Sequence, residues 1–180
     1  DYLTDLLTSQ ALDFIEKQQE SPFFLYLSFF AVHTPIQTKD SLLSKYSAKL
    51  SNDIGNKQDN PYYAGMVETL DRNVGRVLNK LSQLNIEHKT IVLFTSDNGG
   101  LVSRIGTHTP ATNNYPLRSG KGFLYEGGIR VPLIVRMPEG KQNSSTKHPV
   151  ISCDIFPTVV EMCGLGVPEK IPWEGESFYP

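Results

Sequence analysis

The run Thr90-Ile91-Val92-Leu93-Phe94-Thr95-Ser96 breaks off at Asp97-Asn98-Gly99-Gly100, and this junction constrains the chain more than any other. A β-branched apolar run of that length reads as a buried strand. A carboxylate and an amide at its carboxyl end stand where open α/β sheets hold their ligands. Both side chains offer hard oxygen atoms, which suit calcium or magnesium rather than a soft metal. Asp-Asn-Gly is also an ordinary turn sequence, so the junction alone leaves both readings open. A long polar loop follows, ending at Ser119-Gly120-Lys121-Gly122. After it come Tyr125-Glu126-Gly127-Gly128 and a second apolar run, Ile129 to Val135.

The remaining elements surround that junction. Leu3, Leu6, Leu7, Phe14 and Ile15 recur at helical spacing and predict an amphipathic helix closed by Glu20-Ser21-Pro22. The run Phe23 to Phe30 is too apolar for a strand with one wet face, so it is expected inside a sheet covered on both sides. The stretch Thr38 to Asp59 is polar and broken, with one short helix expected around Leu42 to Tyr46. Asn60-Pro61 then opens the longest helix, a cap residue before a proline at the first helical position. Its predicted apolar stripe runs through Tyr63, Met66, Val67, Leu70, Val74, Val77, Leu78, Leu81 and Leu84. A last short helix, Asp154 to Gly164, is stopped by its glycine, and an irregular tail follows.

Strands alternating with helices predict an α/β sandwich, its mostly parallel or mixed sheet covered by helices. Residues 1–180 are expected to form a single partial domain, because so few strands do not make a self-contained sheet. The missing strands are expected upstream of Asp1. Among 180 residues the formal net charge is only −2, too balanced for a nucleic-acid partner or a membrane surface. No apolar run reaches the roughly 20 residues of a membrane span. The first residue is Asp rather than Met and no secretory signal is seen, which together read as a piece of something longer and leave the compartment of the parent protein open. Cys153 and Cys163 lie among apolar residues and are expected to be buried free thiols. Asn143-Ser144-Ser145 matches a glycosylation sequon, too short a match to assign a compartment.

Several single residues invite a chemical reading. Lys121 lies between glycines that let the backbone approach an anion. A Walker-type role is excluded, because Gly122 stands where Ser or Thr is required and Tyr115 where a glycine is required. His33 follows the apolar run and reads either as a satisfied structural histidine or as a site residue. His88, His108 and His148 form no closely spaced metal pair with one another. No Gly-x-Ser-x-Gly elbow is present, so a Ser-His-Asp hydrolase is not indicated.

In combination these residues are more specific. Phe-Leu-Tyr-Leu-Ser-Phe-Phe-Ala-Val-His33-Thr-Pro, Met66-Val-Glu-Thr-Leu-Asp71-Arg-Asn-Val-Gly75, Phe94-Thr-Ser-Asp97-Asn98-Gly99 and Leu117-Arg-Ser-Gly-Lys121-Gly-Phe-Leu-Tyr-Glu126-Gly-Gly-Ile-Arg130-Val-Pro follow one another in order. Asp154-Ile-Phe-Pro157-Thr158 and Trp173-Glu174-Gly175-Glu176-Ser177 continue the series. The chain thereby resembles the sulfatase family, over the C-terminal half of that family's alkaline-phosphatase-like catalytic domain. The resemblance implies hydrolysis of sulfate esters with Ca2+ at the sulfate. It implies that Asp97 and Asn98 are metal ligands, Lys121 a sulfate-binding lysine, and His33 a contact to sulfate or the leaving oxygen. A sulfated small molecule or glycan is the implied substrate, the N-terminal half of the same domain the implied partner, and a periplasmic, secreted or lysosomal setting the implied compartment.

The departures from the pattern carry equal weight. The family's formylglycine arises from Cys or Ser in Cys/Ser-x-Pro/Ala-x-Arg, and neither Cys153-Asp-Ile-Phe-Pro nor Cys163-Gly-Leu-Gly-Val fits. Formylglycine, an early Asp-Asp pair and a second Lys and His are expected upstream. Calcium takes about six to eight oxygen ligands, so Asp97 and Asn98 alone should bind it weakly and this fragment alone should be inactive. Two other readings stay open: a phosphomonoester or phosphodiester hydrolase of the same superfamily, and a non-catalytic sulfated-glycan-binding module using the loop from Gly100 to Arg118.

Overall fold

The computed structural model describes residues 2–50, 58–103, 110–138, 144–166 and 172–179, which fall into two compact units, 1–140 and 141–180. In the first unit the order is α1 (Leu3–Gln18), α2 (Asp40–Lys49), α3 (Pro61–Gln83), β1 (Val92–Thr95), α4 (Glu126–Ile129) and β2 (Leu133–Arg136). The second holds a 3-10 turn, Ser152–Asp154, and α5 (Ile155–Met162).

Both ends of α3 follow from local chemistry. The Asn60 side chain accepts the Tyr63 N–H over 3.1 Å, satisfying a donor that has no partner within the helix. At the other end Asn85 takes φ 54°, its N–H donating to the Ser82 carbonyl and the Ile86 N–H to the Leu81 carbonyl. This is the left-handed cap that glycine or asparagine supplies most cheaply.

The buried face of α3 follows the stripe read from periodicity in part: Met66 and Leu81 are buried and Val77 and Leu84 pack against the core, but small and polar residues share that face. Gly65, Met66, Thr69, Asn73 and Leu81 are buried, whereas Val67 is 44% exposed. The reason is the neighbour: α3 packs along α1, whose buried residues are Thr4, Thr8, Ala11 and Ile15. Small and polar side chains let the helices approach, and their polar atoms are satisfied. Thr69 donates to the Gly65 carbonyl, and Asn73 donates to the Thr69 carbonyl and the Asp5 carboxylate, each over 2.8 Å. Burial tends to raise the Asp5 pKa, but hydrogen bonds from Lys39 and Asn73, with the charges of Lys39 and Arg76, hold it below the usual carboxylate range.

The core of this unit is Ile15, Leu81 and Ile86, with Phe14, Phe23, Leu25, Val77, Leu84 and Val92 packed against it. Phe14 and Phe23 meet edge to face, centroids 5.8 Å apart. The run Phe23 to Phe30 departs from expectation. It is extended, with no strand assigned there, and it alternates rather than being covered on both sides. Phe24, Tyr26 and Phe30 are 73%, 81% and 69% exposed. Leaving Phe24 and Phe30 in water forgoes about 1.5–3 kcal/mol each.

The sheet among the described residues is a two-stranded antiparallel ribbon. Val92 pairs with Arg136, Leu93 with Val135, Phe94 with Ile134 and Thr95 with Leu133. Phe94 and Ile134 face each other across the ribbon, and both are exposed. Of the apolar run beginning at Ile129, the first residue closes α4 and only Leu133 onward is strand.

In the second unit, α5 ends as expected. Gly164 takes φ 63°, its N–H donating to the Glu161 carbonyl and the Leu165 N–H to the Val160 carbonyl, a Schellman cap. Asp154 organises the tail, its carboxylate accepting the Ile151 N–H over 2.8 Å and the Glu176 N–H over 2.9 Å. These backbone bonds, Ile151 first, lower its pKa. Cys153 and Cys163 are free, but both are exposed, because Pro157 and Thr158 rather than the thiols take the inner positions. Asn143 of the sequon lies outside the described residues. Among the described residues no helix is long and apolar enough to cross a membrane.

Candidate active site

β1 carries the chain to Asp97, and a compact turn follows. The Thr95 hydroxyl donates to the Pro132 carbonyl over 3.0 Å, closing the ribbon end, and the Ser96 hydroxyl donates to the Asn98 carbonyl over 3.0 Å. The Asn98 amide nitrogen donates to the Gly99 carbonyl over 3.0 Å, and Oδ1 of that side chain has no partner among the described residues. Asp97 is exposed, and among the described residues its carboxylate makes no hydrogen bond or ion pair. Two adjacent side chains thus carry oxygen atoms with no partner among the described residues, the donor type a hard cation takes.

The lysine loop is bonded to this turn. Lys121 donates its backbone N–H to the Gly100 carbonyl over 3.0 Å, and Gly99 donates its own to the Gly128 carbonyl over 2.9 Å. Gly127 donates to the Arg118 carbonyl over 2.9 Å. Side chains have no room at these crossings. A Cβ on Gly99 would overlap the Gly127 carbonyl oxygen, and one on Gly127 would overlap the Ser119 carbonyl oxygen. Only glycine lets the backbones of the two loops come this close.

The structure therefore brings Asp97, Asn98 and Lys121 together through their backbones. The Lys121 side chain is half-buried and forms no ion pair among the described residues. Arg118, three residues earlier, lies over the Tyr125 ring, 3.8 Å from its centroid. His33 is placed separately. It sits in a turn in which its N–H donates to the Phe30 carbonyl over 2.8 Å, and its ring is exposed. Nδ1 lies 2.9 Å from the Thr34 carbonyl oxygen and 3.2 Å from Oγ1 of the same residue, so Nδ1 is engaged within the turn and Nε2 has no partner among the described residues. Among the described residues no hydrogen bond or ion pair joins His33 to Asp97, Asn98 or Lys121. His108 lies outside the described residues.

Asn114 gave no signal in the sequence, where Asn113-Asn114-Tyr115-Pro116 reads as one more polar turn. Its carboxamide accepts the Gly100 N–H and donates to the carbonyls of Gly100 and Ser119, each over 3.0 Å. Among the described residues no group of three or more His, Cys, Asp or Glu side chains gathers to hold a metal. The oxygen donors of Asp97 and Asn98 are of the right chemistry for Ca2+ but supply a minority of its ligands.

The family model described as Sulfatase matches residues 1–165. The chain belongs to the sulfatase family. It is 40% identical to a sulfatase of Formosa agariphila over 179 residues, which is 93% of this chain and 31% of that protein. It is 35% identical to the steryl-sulfatase of Homo sapiens, matching 100% of this chain and 29% of that protein. The crystal structure of Ps i-CgsB in complex with k-i-k-neocarrahexaose superposes with a TM-score of 0.86 at 36% identity, covering 100% of this chain and 38% of that one. The chain thus spans about a third of the length of these sulfatases. A phosphonate monoester hydrolase from Silicibacter pomeroyi shares the fold at a TM-score of 0.69 and 19% identity.

Proposed function

We propose that this chain furnishes part of the calcium and sulfate site of a sulfatase, a protein hydrolysing R–O–SO3⁻ to R–OH and sulfate. The Lys121 N–H to Gly100 carbonyl bond carries the reading, because it ties the lysine loop to the turn bearing Asp97 and Asn98. Asp97 and Asn98 would hold the metal through Oδ atoms that make no hydrogen bond or ion pair among the described residues. When bound, that ion supplies Lewis-acid stabilisation of charge on the sulfate oxygens. Lys121 neutralises the same oxygens, and His33, through Nε2, contacts sulfate or passes a proton to the leaving oxygen.

In this reading residues 1–180 belong to one catalytic domain, which the family match across both compact units supports. The rest of that domain supplies the formylglycine and the other metal ligands, and adds strands to the sheet. A two-stranded ribbon is marginal by itself, and the bare faces of Phe94, Ile134 and the Phe23 to Phe30 segment are where partners belong. A sulfated glycan is the substrate class favoured, since Ps i-CgsB was crystallised with a neocarrahexaose. The family resemblance favours a periplasmic, secreted or lysosomal setting.

The test uses the intact protein and residues 1–180 side by side. Residues 1–180 alone should show no turnover of para-nitrophenyl sulfate. Asp97→Ala in the intact protein should lose both calcium content and turnover, and normal values for both would overturn the assignment.

A further inference from the structure

We propose that Asn114 is a positioning residue for sulfate ester hydrolysis, setting where Lys121 stands relative to Asp97 and Asn98 without touching substrate itself. The proposal rests on the site reading above. Its carboxamide behaves as one more peptide unit between the two loops. It pairs with both backbone groups of Gly100, two residues after Asn98, and bonds the carbonyl of Ser119, two residues before Lys121.

Only asparagine in one orientation satisfies that set. Reversing the amide would aim Oδ1 at two carbonyl oxygens and Nδ2 at an N–H, and none of the three contacts would be a hydrogen bond. Both amide hydrogens are already committed to Gly100 and Ser119, so none remains for a sulfate oxygen. Ser119 itself sits at φ 65°, a backbone region costly for a residue with a Cβ, and the Asn114 bond to its carbonyl helps hold it there. Asn114 is anchored in turn. Thr112 donates through Oγ1 to the Gln58 side-chain oxygen over 2.9 Å, and the Gln58 amide donates to the Asn113 carbonyl over 2.8 Å. The Thr112 methyl group lies where a Cβ on Gly100 would otherwise stand.

Misplacing a catalytic group by about 1 Å costs on the order of 10²-fold in rate. In the intact protein Asn114→Ala and Asn114→Asp are therefore expected to lower kcat/KM for para-nitrophenyl sulfate by about 10- to 100-fold. Asn114→Asp keeps the shape and the acceptor for the Gly100 N–H but opposes a carboxylate to two carbonyls, and it serves if the alanine variant does not fold. The decisive readout is a double-mutant cycle with Lys121→Ala, because a side chain acting through Lys121 has nothing further to lose once that ammonium is gone. Losses that do not add support the proposal. Losses that multiply indicate general destabilisation and overturn it, as does wild-type kcat/KM in both Asn114 variants. Wild-type activity in Lys121→Ala would instead sink the site reading, and the positioning role with it.

Discussion

The Glu68 carboxylate of α3 accepts a hydrogen bond from Lys45 of α2 over 2.6 Å, and Arg72, one turn along α3, bonds its other oxygen. The Lys45 bond, then that of Tyr46, outweighs burial and, with the Arg72 and Lys45 charges, holds the carboxyl at about 2 against an ordinary value of 4.5. A depressed folded-state pKa contributes stability that is complete above the unfolded value and is lost as pH falls toward the folded one. Urea midpoints of the intact protein should therefore decline from about pH 4.5 to about pH 2, and Glu68→Gln should flatten part of that decline. An identical acid limb in the variant would show that Glu68 does not contribute.

Asn60→Ala removes the acceptor for the Tyr63 N–H and should cost about 1 kcal/mol in chemical denaturation. Asn60→Asp, which keeps that acceptor at the positive end of the helix dipole, should cost little or nothing.

Two glycines should respond with opposite signs. A Cβ at Gly75, in the interior of α3, meets nothing within 4 Å, so Gly75→Ala should stabilise by roughly 0.5–1 kcal/mol through helix propensity. Gly127→Ala forces a Cβ into the carbonyls of Ser119 and Arg118, and should destabilise by about 1–3 kcal/mol or more. Turnover should fall with it, since those carbonyls belong to the lysine loop. Equal melting temperatures for the two variants would contradict the packing described.

His33 is testable through the leaving group. If Nε2 passes a proton to the departing oxygen, His33→Gln should slow aryl sulfates with basic phenolate leaving groups most, by about 10²-fold or more, and nitrophenyl esters least. A loss independent of phenol pKa would assign His33 to sulfate contact instead.

The longer helices were legible, and the start of α3 and the stop of α5 with them, because their causes are local, whereas the short α4 was not. Asn60-Pro61 starts α3 and Gly164 stops α5 through bonds spanning three to five residues, close enough in sequence for residue identity to specify them. The face α3 buries was legible only in part. Periodicity marks Val67 as apolar, but it carries no record of α1 bringing Thr4, Thr8 and Ala11 against Thr69 and Asn73. Asn114 escaped for the same reason. Its bond to Gly100 spans 14 residues and leaves no periodic trace.

The sequence by itself determined the chemistry on offer: hard oxygens at Asp97 and Asn98, an ammonium at Lys121, an imidazole at His33, and the motif order of a sulfatase. Tertiary structure decided which of the loops bearing these groups are bonded together. Glycine backbones at positions 99, 100 and 127 approach closely enough to bond Lys121 to the turn after Asn98, while His33 remains on a separate turn. The physical reason is range. Side-chain identity sets what an atom can donate or accept, but proximity across tens of residues depends on packing and on backbone hydrogen bonds that only the folded chain completes.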